Sequence, residues 1–231
     1  MKLELNSVHA YYGESHILHG MSFRVNAGEV ATLIGRNGVG KTTTLRTIMG
    51  LVPAASGTIT LADEPLVGMA PDRIAKRGIA YVPEDRGILS SLTVLENLTE
   101  APVVAQGGWP VERIFETFPH LKARANAGGS TLSGGEQQML AISRALRSGA
   151  RTVLLDEPTE GLAPTIVERI GELVRTMKAD GLTVLLVEQN VRFATGVADR
   201  HHIVVHGKVV QTLENRDVRD RESELLDFLS L

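Results

Sequence analysis

Residues 32–45 read TLIGRNGVGKTTTL, an apolar run that ends in three glycines within six residues and then a lysine. Glycine at that density is costly to order, because it gives up more backbone freedom than any other residue. The stretch must need its backbone to come very close to something. The spacing G-x-x-x-x-G-K-[ST] is met by Gly35, Gly40, Lys41 and Thr42, directly after an apolar strand over residues 30–34 and before a helical pattern ending near Gly50. A glycine-rich turn at a helix N-terminus aims several N–H groups at one point, where the helix dipole also favours an anion. Asn37, Gly38, Gly40, Lys41, Thr42 and Thr43 are the candidate phosphate cradle. Lys41 would reach the β- and γ-phosphates of a nucleoside triphosphate, and the Thr42 hydroxyl would ligate Mg2+.

A second half is then required, since Mg2+ and the attacking water each need a carboxylate. The run TVLLDE, residues 152–157, supplies both. Asp156 ends an apolar strand and is placed to hold the magnesium through water, whereas Glu157 is the candidate general base for attack on the γ-phosphate.

Outward from these two stretches the chain alternates short Val/Ile/Leu runs with longer helical patterns. EVATLIG (29–35), GIAYVP (78–83), RTVLLD (151–156) and LTVLLVE (182–188) read as strands buried on both faces, which implies a parallel sheet covered by helices. LELNSVHAYYG (3–13), HILHGMSFRV (16–25) and SGTITLAD (56–63) alternate apolar and polar residues at period two, which predicts an antiparallel sheet with one wet face beside the parallel core. Between Glu84 and Arg151 the strand signal gives way to helical patterns, a helical insertion punctuated by Gly107–Gly108 and Gly128–Gly129. HHIVVHGKVVQTL (201–213) predicts a hairpin turning at Gly207–Lys208, and ESELLDFLSL (222–231) a short amphipathic helix packing on its own domain.

Composition limits the alternatives. The 231 residues suit one compact unit with insertions, and an apolar fraction of 43% with 22% charged residues is ordinary for a globular chain. Aromatics are only 4%, so Leu, Val, Ile and Ala build the core. A formal charge of −3 gives no basic field and argues against nucleic acid as a partner. The absence of cysteine excludes disulfides and thiolate metal sites, and the seven histidines show no metal spacing and read as solvated or packed. No charged-then-apolar leader is visible, and runs such as TVLLV fall far short of the roughly 20 residues of a membrane span, so membrane contact is expected to go through a partner.

LSGGEQQMLAISRAL, residues 132–146, places Ser133, Gly134 and Gly135 at the start of another helix, a second anion-binding nest. One nucleotide does not need two such nests in one chain. The economical reading gives the second to a nucleotide held by another copy, so that two chains sandwich two ATP molecules.

At these residues the sequence closely resembles the nucleotide-binding subunits of ABC transporters. The resemblance runs through GRNGVGKT, YVPE, LSGGEQQ and LLDEP to the final hairpin. It implies an α/β fold: a P-loop NTPase core with a parallel sheet, an N-terminal antiparallel β subdomain and a helical insertion. The expected division of the single domain 1–231 is the antiparallel subdomain at 1–30 and 55–70, the core at 30–55, 71–84 and 151–213, the helical subdomain at 85–150 and a tail at 214–231. The resemblance also makes Tyr12 the aromatic that stacks on adenine, and Arg144 a structural residue.

Three positions depart from the commonest pattern of that family. Glu84 stands where a glutamine follows VP, EGLA (160–163) where SALD is usual, and Gln189 where a switch histidine is usual. VPEDR, DEPTEGLAP and LLVEQN resemble the shorter ATP-binding subunit of branched-chain amino acid importers, whose usual VPEGR differs at Asp85. Glu84 can still ligate Mg2+. Gln189 keeps a donor for the γ-phosphate but has no titratable ring, so the base role stays with Glu157. Ala163 removes a carboxylate at the dimer seam, so the linkage through that loop is expected to be weaker or carried by Glu160.

The expected function is therefore ATP hydrolysis that energises import through a membrane permease, from the cytoplasmic face of the cell membrane. The partners are a second ATPase subunit, like or unlike, the permease, and indirectly a solute-binding protein. The permease is expected to sit near residues 84–95. A non-transport ABC ATPase acting on nucleic acid or protein complexes would need a second cassette, a coiled coil or basic extensions, and a small-molecule kinase would need a substrate lid in place of LSGGEQQ.

Overall fold

A computed structural model describes residues 1–218, and the helix expected in residues 222–231 lies outside the described residues. In chain order the elements are β1 (Leu3–Tyr12), β2 (Ser15–Val25), β3 (Val30–Ile34), α1 (Lys41–Ile48), β4 (Ala54–Leu61), β5 (Glu64–Pro65), α2 (Pro71–Lys76) and β6 (Ile79–Val82). There follow α3 (Val94–Thr99), α4 (Val111–Thr117), α5 (Pro119–Ala123) and α6 (Gly134–Arg147). The last part holds β7 (Thr152–Asp156), α7 (Pro164–Ala179), β8 (Thr183–Glu188), α8 (Val191–Val197), β9 (Arg200–Val205), β10 (Lys208–Glu214) and α9 (Asn215–Val218).

Two sheets form. One has the order β2-β1-β4-β5, its strands antiparallel, and the other has the order β10-β9-β3-β8-β7-β6. Within the second sheet the four junctions from β9 to β6 are parallel, and β10 adds an antiparallel edge. β3, β7 and β8 are buried at every residue, which is why they read as unbroken apolar runs.

Because successive side chains point to opposite faces, each of these strands feeds two cores. Val153, Leu155, Val184 and Leu186 pack with Met139, Ile142 and Leu146 of α6 and Ile170 and Val174 of α7. Leu33, Leu154 and Leu185 face the other way, onto Leu3, Leu5, Leu18 and Ile59 of the antiparallel sheet and Leu45 and Ile48 of α1. The second sheet is thus sandwiched, and its strand ends open toward the loops that carry the glycines and carboxylates.

The terminal hairpin turns one residue earlier than expected. Val205 pairs with Lys208, so the turn is His206–Gly207, with φ of +45° and +69°. Two left-handed residues match the right-handed twist of the strands they join, and a histidine in that role carries no sequence signal. Gly207 also braces the glycine loop: its N–H donates to Val39 O at 2.9 Å, and its carbonyl accepts from His19 N at 3.0 Å. A Cβ there would stand 2.0 Å from Ile17 O, so no other residue fits. Of the histidines, His201 and His202 are buried and bonded, to Thr32 and Asn215 and to Thr212 and the Arg24 carbonyl respectively.

Candidate functional site

β3 delivers the chain to a loop over residues 35–40, and Gly40 caps α1 in the left-handed region, with φ 102° and no side-chain cap. With no acidic residue in the first turn, the N–H groups of this helix end are left to an external anion. Lys41 is only 4% exposed. Its Nζ donates to Gly35 O at 2.8 Å and Arg36 O at 3.0 Å and lies 3.4 Å from Glu157 Oε1. The ammonium is therefore held inside the loop, aimed at the space the loop encloses.

β7 brings in the carboxylates. Asp156 Oδ1 accepts from the Thr42 hydroxyl at 2.9 Å, and Oδ2 from the Tyr81 hydroxyl at 2.9 Å. Burial pushes the Asp156 carboxyl up from its ordinary range, and these two hydrogen bonds oppose the rise. Glu157 leaves the strand with φ +44°, a left-handed turn rare outside glycine that points its side chain into the loop space. Burial pushes Glu157 up, but hydrogen bonds from Glu160, Gln189 and Lys41 and the Lys41 charge outweigh it, so the carboxyl is held below its ordinary value. The neighbouring Glu160 carboxyl is pushed up to about 7, first by its hydrogen bond to Glu157 and then by that group's charge. Gln189 Nε2 donates to Glu157 Oε2 at 3.1 Å and to Asn37 Oδ1 at 2.6 Å, linking the end of β8 to the loop.

Asn37, Gly38, Gly40, Lys41, Thr42, Thr43, Glu84, Glu157 and Glu160 line one cleft of about 390 Å3. Two sets of expected residues do not meet there. Tyr12, 45% exposed, borders a separate groove of about 740 Å3 with Arg46, Tyr81, Pro83, Arg86 and Arg144. Ser133, Gly134 and Gly135 stand at the start of α6, where Ser133 and Glu136 form a reciprocal cap: Ser133 N and Oγ each reach Glu136 Oε2 at 2.8 Å. Gly135 is packed so closely on α7 that a Cβ would lie 3.0 Å from Ile166. Arg144, expected to be structural, donates from Nη1 to Gly87 O.

Sequence reasoning missed three participants. Tyr81 fixes Asp156, and its only signal is a polar-tipped aromatic inside GIAYVP. Glu188 is buried beneath the cleft, accepts from the Thr159 hydroxyl at 2.9 Å and is pushed up to about 7 by burial. Arg86 carries no local signal.

Thr42 and Asp156 meet through hard oxygen donors, and Glu84 lines the same cleft as Thr42, a donor set that suits magnesium. Among the described residues no group of three or more His, Cys, Asp or Glu is arranged to hold a metal by itself. That agrees with an ion carried largely by substrate phosphates and water.

The chain matches the ABC transporter family over residues 18–160. It is 43% identical over 233 residues to BraG, the high-affinity branched-chain amino acid transport ATP-binding protein of Pseudomonas aeruginosa, covering 94% of this chain and 97% of that protein. It is 32% identical over 226 residues to LptB, the lipopolysaccharide export system ATP-binding protein of Escherichia coli, covering 93% of each. Its fold superposes with a TM-score of 0.81, at 25% identity, on a dimeric ATP-binding cassette in a post-hydrolysis state bound to ADP and phosphate, covering 93% of this chain and 99% of that one. The chain belongs to the ABC transporter family and is an ATP-hydrolysing subunit.

Proposed function

From that membership we propose that this chain energises the uptake of branched-chain amino acids, or chemically related small amides, through a membrane permease. It would act at the cytoplasmic face of the membrane, paired with a second ATPase subunit and served by an external solute-binding protein. The observation that carries the hydrolytic part is the cleft itself. Lys41, Glu157, Gln189 and Asn37 form one bonded set beside the Thr42–Asp156 pair. The solute rests on likeness to BraG across nearly the whole chain, supported by EGLA and Gln189.

In this reading the N–H groups of Gly38 to Thr43 and the Lys41 ammonium grip the triphosphate, while Tyr12 stacks on the base. Thr42, Asp156 and Glu84 would hold Mg2+, which when bound would supply positive charge against the triphosphate. Glu157, kept ionised by its neighbours, takes a proton from the attacking water. Gln189 holds that carboxylate in place and can turn its amide toward the γ-phosphate. The Ser133–Gly135 nest closes over the nucleotide of the second subunit, so hydrolysis depends on assembly. The permease would seat in the groove bordered by Pro83, Arg86 and Arg144, beside the loop of Glu84.

Uptake of labelled leucine, isoleucine and valine should fall in cells whose chromosomal copy carries Glu157→Gln. Unchanged uptake of all three would remove the solute assignment. A second reading, an export ATPase, is favoured by the likeness to LptB. It predicts intact amino acid uptake and a defect in the cell envelope instead.

A further inference from the structure

The loop after β6 is fastened to α6 by side chains to which the proposed function gives no part in gripping nucleotide. Arg86 takes φ +68°, a conformation that non-glycine residues hold only when their surroundings impose it. Its Nη1 donates to Gln137 Oε1 at 3.1 Å, in the first turn of α6. Its Nη2 lies 3.2 Å from where a Gly134 Cβ would stand, so the glycine admits the guanidinium against the helix backbone. Farther along the same helix Arg144 holds Gly87 O, and beyond the loop Leu89 N is bonded at 3.0 Å to Asn97 Oδ1, an amide on α3 with no exposure. Glu84, two residues before Arg86, lines the cleft with Lys41. The loop thus touches the nucleotide cleft at one end and the second nest at the other, and Arg86 is the point of attachment to that nest.

We propose that Arg86 is a positioning residue for the second half-site. Its guanidinium fixes the first turn of α6, and with it the Gly134 and Gly135 N–H groups, where they can grip a nucleotide held by the glycine loop of a second copy of this chain. This rests on the two-nest reading above. A planar, two-ended fork is needed to bond Gln137 while lying flat on Gly134, and lysine offers only a point charge.

The test uses the Glu157→Gln chain, in which ATP is bound but not consumed. Light scattering gives the Mg-ATP concentration for half-maximal association, and a fluorescent ATP analogue gives the affinity of the chain's own cleft. Arg86→Ala and Gln137→Ala should each raise the association midpoint about tenfold, the effect of one lost charge-assisted hydrogen bond. The double variant should be no worse than the worse single one, Arg86→Lys should fail to restore the midpoint, and own-cleft affinity should stay within about twofold. An unchanged midpoint in the singles, additive losses in the double, restoration by lysine or an equal fall in own-cleft affinity overturns the role. If the parent binds ATP yet stays monomeric, the partner is not a second copy of this chain and the role proposed here falls, a result distinct from association that merely ignores Arg86.

Discussion

The molecule contains two glycine-bearing helix starts that differ in what already occupies them. At α1 the cap is a bare glycine and the first turn has no acid; the carboxylates of Glu84, Glu157 and Glu160 line the cleft from other elements, and Glu157 faces the Lys41 ammonium. At α6 the cap is Ser133, and Glu136 bonds both its N–H and its hydroxyl. The first nest is an open electrostatic well. The second already carries a carboxylate, so an incoming phosphate meets a repulsive charge that Arg86, against Gly134, partly offsets. A site of the first kind binds unaided. Under the proposed function, a site of the second kind would bind only when a partner presents the anion in one geometry, acting as a sensor of assembly more than a store of affinity.

The sharpest way to break this contrast is at the carboxylates of the first nest. Glu157→Gln should lower kcat for ATP by about a hundredfold or more while leaving ATP binding in place, as loss of a general base does. Turnover near the parent rate in steady-state assays would move the chemistry elsewhere. Lys41→Ala should weaken ATP binding by about a hundredfold, from the loss of charge-assisted bonds in a water-poor loop. Tight binding in a fluorescence titration would show that the first well does not depend on its cation.

Charge stored beneath the first nest gives a pH signature. Glu188 titrates near 7 in the fold against 4.5 ordinarily, so the folded protein holds its proton more tightly than the unfolded chain. Its favourable contribution is complete below about 4.5 and is lost as pH rises through 7. Glu188→Gln should therefore raise stability at pH 8 relative to pH 5, by about 3 kcal/mol at most, in denaturant unfolding. A parallel shift at both pH values would deny Glu188 that role. His202, pushed down to about 4 by burial, tilts the other way: its contribution is lost as pH falls from 6.5 through 4. The smallest effect on stability belongs to the second nest, where Ser133→Ala should cost about 1 kcal/mol as a lost cap. It should leave own-cleft ATP affinity unchanged while abolishing ATP-driven association, and a fall in own-cleft affinity would blur the contrast.

The first nest was readable because its physics is local. Three glycines, a lysine and a threonine at fixed spacing, after five buried residues, determine loop and helix together. The buried strands were equally plain, since residues hidden on both faces leave no polar interruption. The hairpin turn was misplaced by one residue because His206 adopts a left-handed backbone that its side chain does not advertise. Tyr81 and Arg86 were invisible for a different reason. Each acts on a partner 75 or 51 residues away, and neither pairing leaves a trace in the neighbouring sequence. Tyr12 was placed by likeness alone, and it stands on the rim of the larger groove, outside the cleft of Lys41.

β3, the strand that launches the glycine loop, lies between β8 and β9, and the loop itself leans on Gly207. All three supports are made long after residue 34 leaves the ribosome. A nascent chain would carry the whole nucleotide-gripping sequence for most of its synthesis with no walls to hold it in shape. A fragment ending before residue 183 should therefore be blind to nucleotide although every cradle residue is present.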